Sequence, residues 1–418
     1  MRRIPSSLVS AVAVVAMASS VIAAAPAQAA PAPAKSLAGT TVDRTLFGMH
    51  VLGVQGGTWP SIPIGSLRLW DSGTTWSQVE KKRGVFDWTA LDTAVATAQK
   101  NGVNDILMVM AGTPAWASSD PSSGGVAGVE PGGAGAPSDL AYWDEWVTAL
   151  ATRYKGKITS YQPWNEANLS TFSTMTPAQM ADLTKHAYDI VKKIDPKALI
   201  VAPSTGTRLK PAFLRFYPKF LAELKARNWP VDVFSAHTYP ASLGTPVESA
   251  VLARLWKSVL AQAGAPDLPL WDTEANFGLK GPGNANPDQD INGPQAGQWA
   301  ARAYLDALRL NVSRVYWYAW APDGDLLGIQ MNKGSVASKA LATLQDWIVG
   351  ATYKGCVGAN RVKCTFVKDG VKNKVVWSER GTAAFVTRGF TQACDLNGAC
   401  APITKKKLRL AGPVLLKP

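Results

Sequence analysis

Histidine, cysteine and charge are all scarce in this sequence. Only three His occur in 418 residues, at positions 50, 186 and 237, and no His-Glu-x-x-His pattern contains them. The usual signature of a hydrolytic zinc site is therefore missing. No Gly-x-Gly-x-x-Gly follows an apolar run and no phosphate-loop motif occurs, so nucleotide-binding folds lose their sequence mark. Charged residues make up 17% of the chain against 47% hydrophobic ones, which excludes a disordered polyelectrolyte. Past the N-terminal region no apolar stretch is long enough to span a bilayer. These absences imply a chemistry that needs neither metal nor organic cofactor.

The N-terminus carries Arg2 and Arg3, then an apolar stretch rich in small residues, then Ala27-Gln28-Ala29. That order predicts a signal peptide over 1–29, cleaved near Ala29, and a Pro/Ala linker over 30–42. The expected product is secreted or associated with the cell wall. The four Cys agree with export. All lie near the C-terminus, at 356, 364, 394 and 400. Their short spacings suggest Cys356–Cys364 and Cys394–Cys400, each closing a hairpin. A zinc site is the rival, weakened because no Cys-x-x-Cys and no nearby His is present.

Between these ends, apolar runs alternate with amphipathic ones. Strands are predicted over 46–52, 66–70, 105–111, 158–164, 199–202, 231–237, 268–273 and 314–319. Helices are predicted over 88–101, 139–154, 177–194, 211–227, 246–263 and 295–310. Strands apolar on both faces, each leading to a helix, indicate a parallel sheet. Eight such units fit a closed α/β barrel over 43–350, the (β/α)₈ TIM barrel. Thr176-Pro177 and Thr245-Pro246 read as helix starts, and Gly102 and Gly264 as helix ends. A Gly/Ser/Pro-rich loop over 118–137 follows the third strand, either as a loose insertion or as a wall of the site. From 351 to 418 short alternating runs predict a small all-β appendage. It holds 13 Lys/Arg against 3 Asp/Glu, a net +10 beside +13 for the whole chain. Its Lys405-Lys406-Lys407-Leu408-Arg409 run lacks interleaved aromatics, which argues against nucleic acid. An anionic cell-envelope glycan is the partner such charge would attract.

Two carboxylate motifs stand at predicted strand ends. Tyr161-Gln162-Pro163-Trp164-Asn165-Glu166 closes the fourth strand, and Leu270-Trp271-Asp272-Thr273-Glu274 the seventh. Barrel active sites form at the C-terminal ends of strands. Paired carboxyls across one cavity are the apparatus of glycoside cleavage. Around them, Arg68 ends strand two, His237 and Tyr239 end strand six, and Trp320 ends strand eight.

This pattern resembles the clan A (β/α)₈ retaining glycoside hydrolases, and the stretch from Arg68 through Gly84-Val85-Phe86-Asp87-Trp88 looks like family 39 and its relatives. The resemblance implies Glu166 as acid/base and Glu274 as nucleophile. It implies Asn165 as donor to a sugar 2-hydroxyl, Tyr239 and Arg68 as partners of Glu274, His237 near the acid/base, and Trp320 as the floor under the sugar. Trp164 would supply an apolar neighbour to Glu166, and His50 either binds sugar or is a satisfied rim residue. Asp71, Asp272, Glu80 and Glu248 are expected to be structural. Sixteen Trp exceed the needs of a core, and about four or five are expected at the site as platforms for sugar rings. The expected activity is hydrolysis of a polysaccharide or oligosaccharide. A non-catalytic glycan-binding barrel and a transglycosylase are the alternatives.

Overall fold

The computed structural model describes residues 36–124, 131–322 and 324–418. The expected signal peptide lies outside the described residues. Eight strands form one sheet: β1 (Phe47–Val51), β2 (Ser66–Leu69), β3 (Ile106–Val109), β4 (Ser160–Gln162), β5 (Leu199–Ile200), β6 (Phe234–His237), β7 (Leu270–Ala275) and β8 (Arg314–Trp320). Their order is β5-β4-β3-β2-β1-β8-β7-β6, with parallel neighbours. A parallel bridge from Val201 to Val233 joins the two ends of this order and closes the barrel.

Every strand is buried along nearly its whole length, because one face fills the barrel and the other lies under helices. Leu107, Val201, Val233, Trp271 and Tyr316 form a separate plug inside. Gly48 makes room for it, since a Cβ there would stand 2.6 Å from the Tyr316 ring. Near the start of β8, Arg314 lies 4.0 Å over the Trp271 ring and reaches Asp105 at 2.6 Å. Packing seals that end and leaves the C-terminal ends of the strands for chemistry.

The helices are α1 (Trp76–Val79), α2 (Thr89–Lys100), α3 (Leu140–Arg153), α4 (Pro177–Ile194), α5 (Lys210–Ala226), α6 (Pro246–Ala263), α7 (Gly293–Arg309) and α8 (Val336–Ile348). Thr176 caps α4 through the Gln179 N–H, and Gln179 answers in a capping box. Thr245 differs from expectation: Pro246 opens α6, but the Thr245 side chain makes no capping bond. Gly102 and Gly264 do adopt left-handed backbone, with φ of 78° and 66°.

The C-terminal part holds β9 (Thr352–Val357), β10 (Arg361–Lys368), β11 (Val371–Ser378), β12 (Ala383–Val386), β13 (Gln392–Cys394), β14 (Cys400–Pro402), β15 (Lys407–Leu410) and β16 (Val414–Lys417). Six of them form an antiparallel sheet, and β12 pairs with β15 over it. Both expected disulfides are present, each between residues directly opposed across a hairpin. The thiols are therefore committed, and the zinc alternative falls. Glu379, just past β11, accepts from both Arg302 and Arg309 of α7, and Arg302 also lies 5.4 Å over Trp377. These contacts fasten the sheet to the barrel wall. Residues 39–42 are likewise no free linker. Gly39 N–H donates to Tyr353 O at 2.7 Å, Val42 N–H to Ala351 O at 2.9 Å, and Thr41 bridges Thr352.

Candidate active site

A cavity of about 610 Å³ opens at the C-terminal ends of the strands, lined among others by Glu166, His237, Tyr239, Glu274 and Tyr318. That volume lies in the range of small-molecule sites. A larger, more open hollow of about 870 Å³ lies on the outer wall, bounded by residues 80–88 between α1 and α2 and by α3. Its carboxylates are already engaged: Glu80 by Trp76 and Gly84, Glu145 by Arg83, Asp144 by His186. The barrel-mouth cavity, by contrast, joins two facing carboxyls to buried polar groups.

Arg68 organises one side. Its side chain on β2 is fully buried and points into the barrel, where a guanidinium must be paired to persist. It donates to Glu274 Oε1 at 2.6 Å, to Gln162 Oε1 at 3.0 and 2.8 Å, and to Asn165 Oδ1 at 2.7 Å. Tyr239 OH donates to the other oxygen of Glu274 at 3.0 Å. Burial raises the Glu274 carboxyl above its ordinary range, while the Arg68 guanidinium pulls it back. With a cation and a phenol on its two oxygens, Glu274 is the carboxyl of this site best equipped to be charged. Asn165 presents its Oδ1 to Arg68 and to the Ser204 hydroxyl at 3.3 Å, so its amide nitrogen is left as donor toward the cavity.

Glu166 stands opposite in a different setting. Its backbone is left-handed, with φ of 40°, a conformation sparse outside glycine and typical of functional positions. Its N–H donates to the Ser204 hydroxyl at 3.0 Å, which fixes the turn. Its Oε1 lies 3.0 Å from His237 Nδ1, and a Cβ on Gly206 would meet that oxygen at 2.9 Å. Burial pushes the Glu166 carboxyl up to about 7, against the opposing pull of Arg208 and Arg68. His237 is itself buried and driven down to about 3, so it is a neutral bridge, with its Nε2 at 3.1 Å from Thr273 Oγ1. One ligand atom each from Glu166, His237 and Glu274 lies within 4.8 Å of the others. That spacing suits a cation, but the Arg68 guanidinium already supplies the positive charge at Glu274.

Other expected residues fall differently. Trp320 is buried in the core, whereas Tyr318, two residues earlier, lines the cavity and donates to Asp71 at 2.5 Å. Trp164 is buried with its N–H on Phe172 O at 2.8 Å, so Phe172, not Trp164, meets the cavity. His50 is buried below Tyr318, with Nε2 3.0 Å from Thr273 O and 3.2 Å from Arg68 Nη1, and burial holds it neutral. Asp71, expected to be structural, lines the cavity, and burial raises its carboxyl. Asp272, by contrast, is occupied by the Thr238 hydroxyl and N–H.

Of the Trp residues only Trp70 lines the cavity among the described residues. Trp76, Trp88, Trp143 and Trp146 pack ring to ring in the barrel wall instead. The described ends of the 118–137 loop do not line it either. Ser118 bridges Pro137, and Thr113 Oγ1 donates to Gly135 O at 2.6 Å, tying those ends down. The walls come from segments after β2, β4, β5, β6, β7 and β8.

Residues 138–340 match the family model described as the glycosyl hydrolase catalytic core. No curated protein matches the chain by sequence. Solved structures match its fold. A family 39 glycoside hydrolase from Bacteroides cellulosilyticus WH2 is 18% identical with a TM-score of 0.64, over 90% of this chain and 82% of that one. A family 39 β-xylosidase from Caulobacter crescentus is 15% identical with a TM-score of 0.59, over 91% and 98%. A family 30 endoxylanase from Clostridium papyrosolvens C71 is 13% identical with a TM-score of 0.56, over 92% and 99%. The expected resemblance to glycoside hydrolases thus stands: residues 138–340 match a glycosyl hydrolase catalytic core, and the chain shares the (β/α)₈ barrel fold of these solved glycosidase structures.

Proposed function

We propose that the protein is an exported retaining O-glycoside hydrolase of polysaccharide or oligosaccharide. The observation that carries this reading is the pair Glu166 and Glu274, with an oxygen of each within 4.8 Å of the other and in unlike surroundings. Carboxyls about 5 to 5.5 Å apart suit direct attack, whereas inverting enzymes need roughly 6.5 to 9.5 Å to admit a water between. In the first step a Glu274 oxygen attacks the anomeric carbon. The bond to the leaving oxygen breaks, and that oxygen takes the Glu166 proton. In the second, Glu166 as carboxylate takes a proton from water, and the water oxygen displaces Glu274 with net retention. Loss of the Glu274 charge in the intermediate helps Glu166 ionise. Arg68 and Tyr239 hold Glu274, Asn165 donates to the sugar, and His237 orients Glu166.

Export is supported by the two disulfides, which persist in oxidising compartments. A fold neighbour described as a conserved exported protein from Bacteroides fragilis, 12% identical with a TM-score of 0.61 over 90% of this chain, is consistent with it. The +10 appendage would hold the enzyme near an anionic envelope glycan. Among the described residues no helix is long and apolar enough to cross a membrane.

The test is Glu274→Ala. Turnover of every glycoside cleaved by the wild type should vanish. Azide with an activated aryl glycoside should then yield the glycosyl azide of inverted configuration. Wild-type activity in this variant would sink the assignment.

A further inference from the structure

On the Glu166 side of the cavity stands a cation that the two-step reaction does not use. Arg208, half-buried in the cavity wall after β5, donates to Leu279 O at 2.6 Å and to Gly281 O. It forms no ion pair with any carboxylate among the described residues, and these two bonds leave the rest of its five donors unassigned. Arg215, exposed on α5, lines the same wall, also without an ion pair among the described residues. Lys280 lines it too, but Asp325 already neutralises that ammonium. Gly206, two residues before Arg208, is the residue pressed against Glu166 Oε1, so this wall belongs to the acid and not to the nucleophile. An acid catalyst stands on the leaving-group side of the bond it protonates.

We infer that Arg208, with Arg215 at the rim, forms a subsite for an anionic group, carboxylate or phosphate, on the leaving-group side of the scissile bond. This rests on the glycosidase reading of Glu166 and Glu274. A guanidinium partly withdrawn from water gains most from an acceptor that takes two N–H bonds at once, which carboxylates and phosphates do and hydroxyls do not. A bound anion would also offset the positive charge that works against the proton on Glu166, so the favoured substrate would help to keep its own acid protonated.

The experiment is calorimetric titration of the full chain with methyl β-D-glucuronide, methyl β-D-glucoside and glucose 6-phosphate. Wild type should bind the anionic probes tighter than the glucoside by about ten- to a hundredfold. Arg208→Gln should erase that preference. Arg208→Lys, which keeps the charge without the fork, should retain part of it, and Arg215→Gln should reduce it less. Whichever anionic probe is preferred identifies the group as uronate or phosphate. Equal binding of charged and neutral probes, or a preference intact in Arg208→Gln, overturns the proposal. If Arg208→Gln fails to fold, an undiminished preference in both Arg208→Lys and Arg215→Gln does so. Turnover of neutral aryl glycosides is measured in parallel. Its absence counts against the hydrolase, while the binding ratios still decide the subsite.

Discussion

The two walls of the cavity treat one functional group in opposite ways. Glu274 is buried among donors, with Arg68 on one oxygen and Tyr239 on the other. Glu166 is buried with little to receive it: a neutral histidine nitrogen on one oxygen and the bare backbone of Gly206 beside it. Burial alone disfavours both charges. The donors decide which carboxyl keeps its charge, and their scarcity lets the other hold a proton near neutrality.

That contrast is open to direct attack. The largest effect is expected from Glu166→Ala, read as kcat/KM on two leaving groups. Poor leaving groups should lose roughly 10²- to 10⁴-fold, the usual worth of a positioned acid, and activated aryl glycosides far less. An equal loss on both would mean that Glu166 does not deliver a proton. Next comes Arg68→Met, which strips Glu274 of its buried cation. Breaking a buried pair costs about 3 to 5 kcal/mol, so kcat should fall at least a hundredfold, with a lower Tm measured alongside.

The pH profile sharpens the same point. On the proposed mechanism activity should require a proton on Glu166 and fall as pH rises through about 7. By the same mechanism it should require charge on Glu274 and fall as pH drops through that group's raised value. The alkaline limb should disappear in Glu166→Gln assayed with an activated leaving group, and the acid limb should move to higher pH in Arg68→Met. The smallest expected change is Gly206→Ala. Its methyl would displace the end of a flexible side chain, so kcat on poor leaving groups should drop about tenfold at similar KM.

Much of this site was legible in the sequence because strand ends are fixed by hydrophobic pattern. The motifs around Asn165-Glu166 and Glu274 sit at the ends of apolar runs, and Arg68, His237 and Tyr239 share that address. The residues missed are set by other means. Asp71, Gly206 and Arg208 lie in connecting segments, where no period tells which side chain turns inward. Tyr318 and Trp320 belong to one strand, and which of two aromatics reaches the cavity is settled by packing. The abundance of Trp suggested sugar platforms, yet most of those rings interlock in the barrel wall. Strands β13 and β14 are three residues each, too short to show alternation, and take their register from Cys394–Cys400.

The pairing of residues 39–42 with Ala351–Tyr353 has a consequence for how the chain folds. Contacts between segments so far apart in sequence carry a large loop-closure cost and form slowly. On a chain made from its N-terminus, that seam cannot close until nearly the whole barrel has been synthesised. The C-terminal sheet is then less a passenger than a latch, set last, and a truncation that removes it would leave the first segment without the neighbour it waits for.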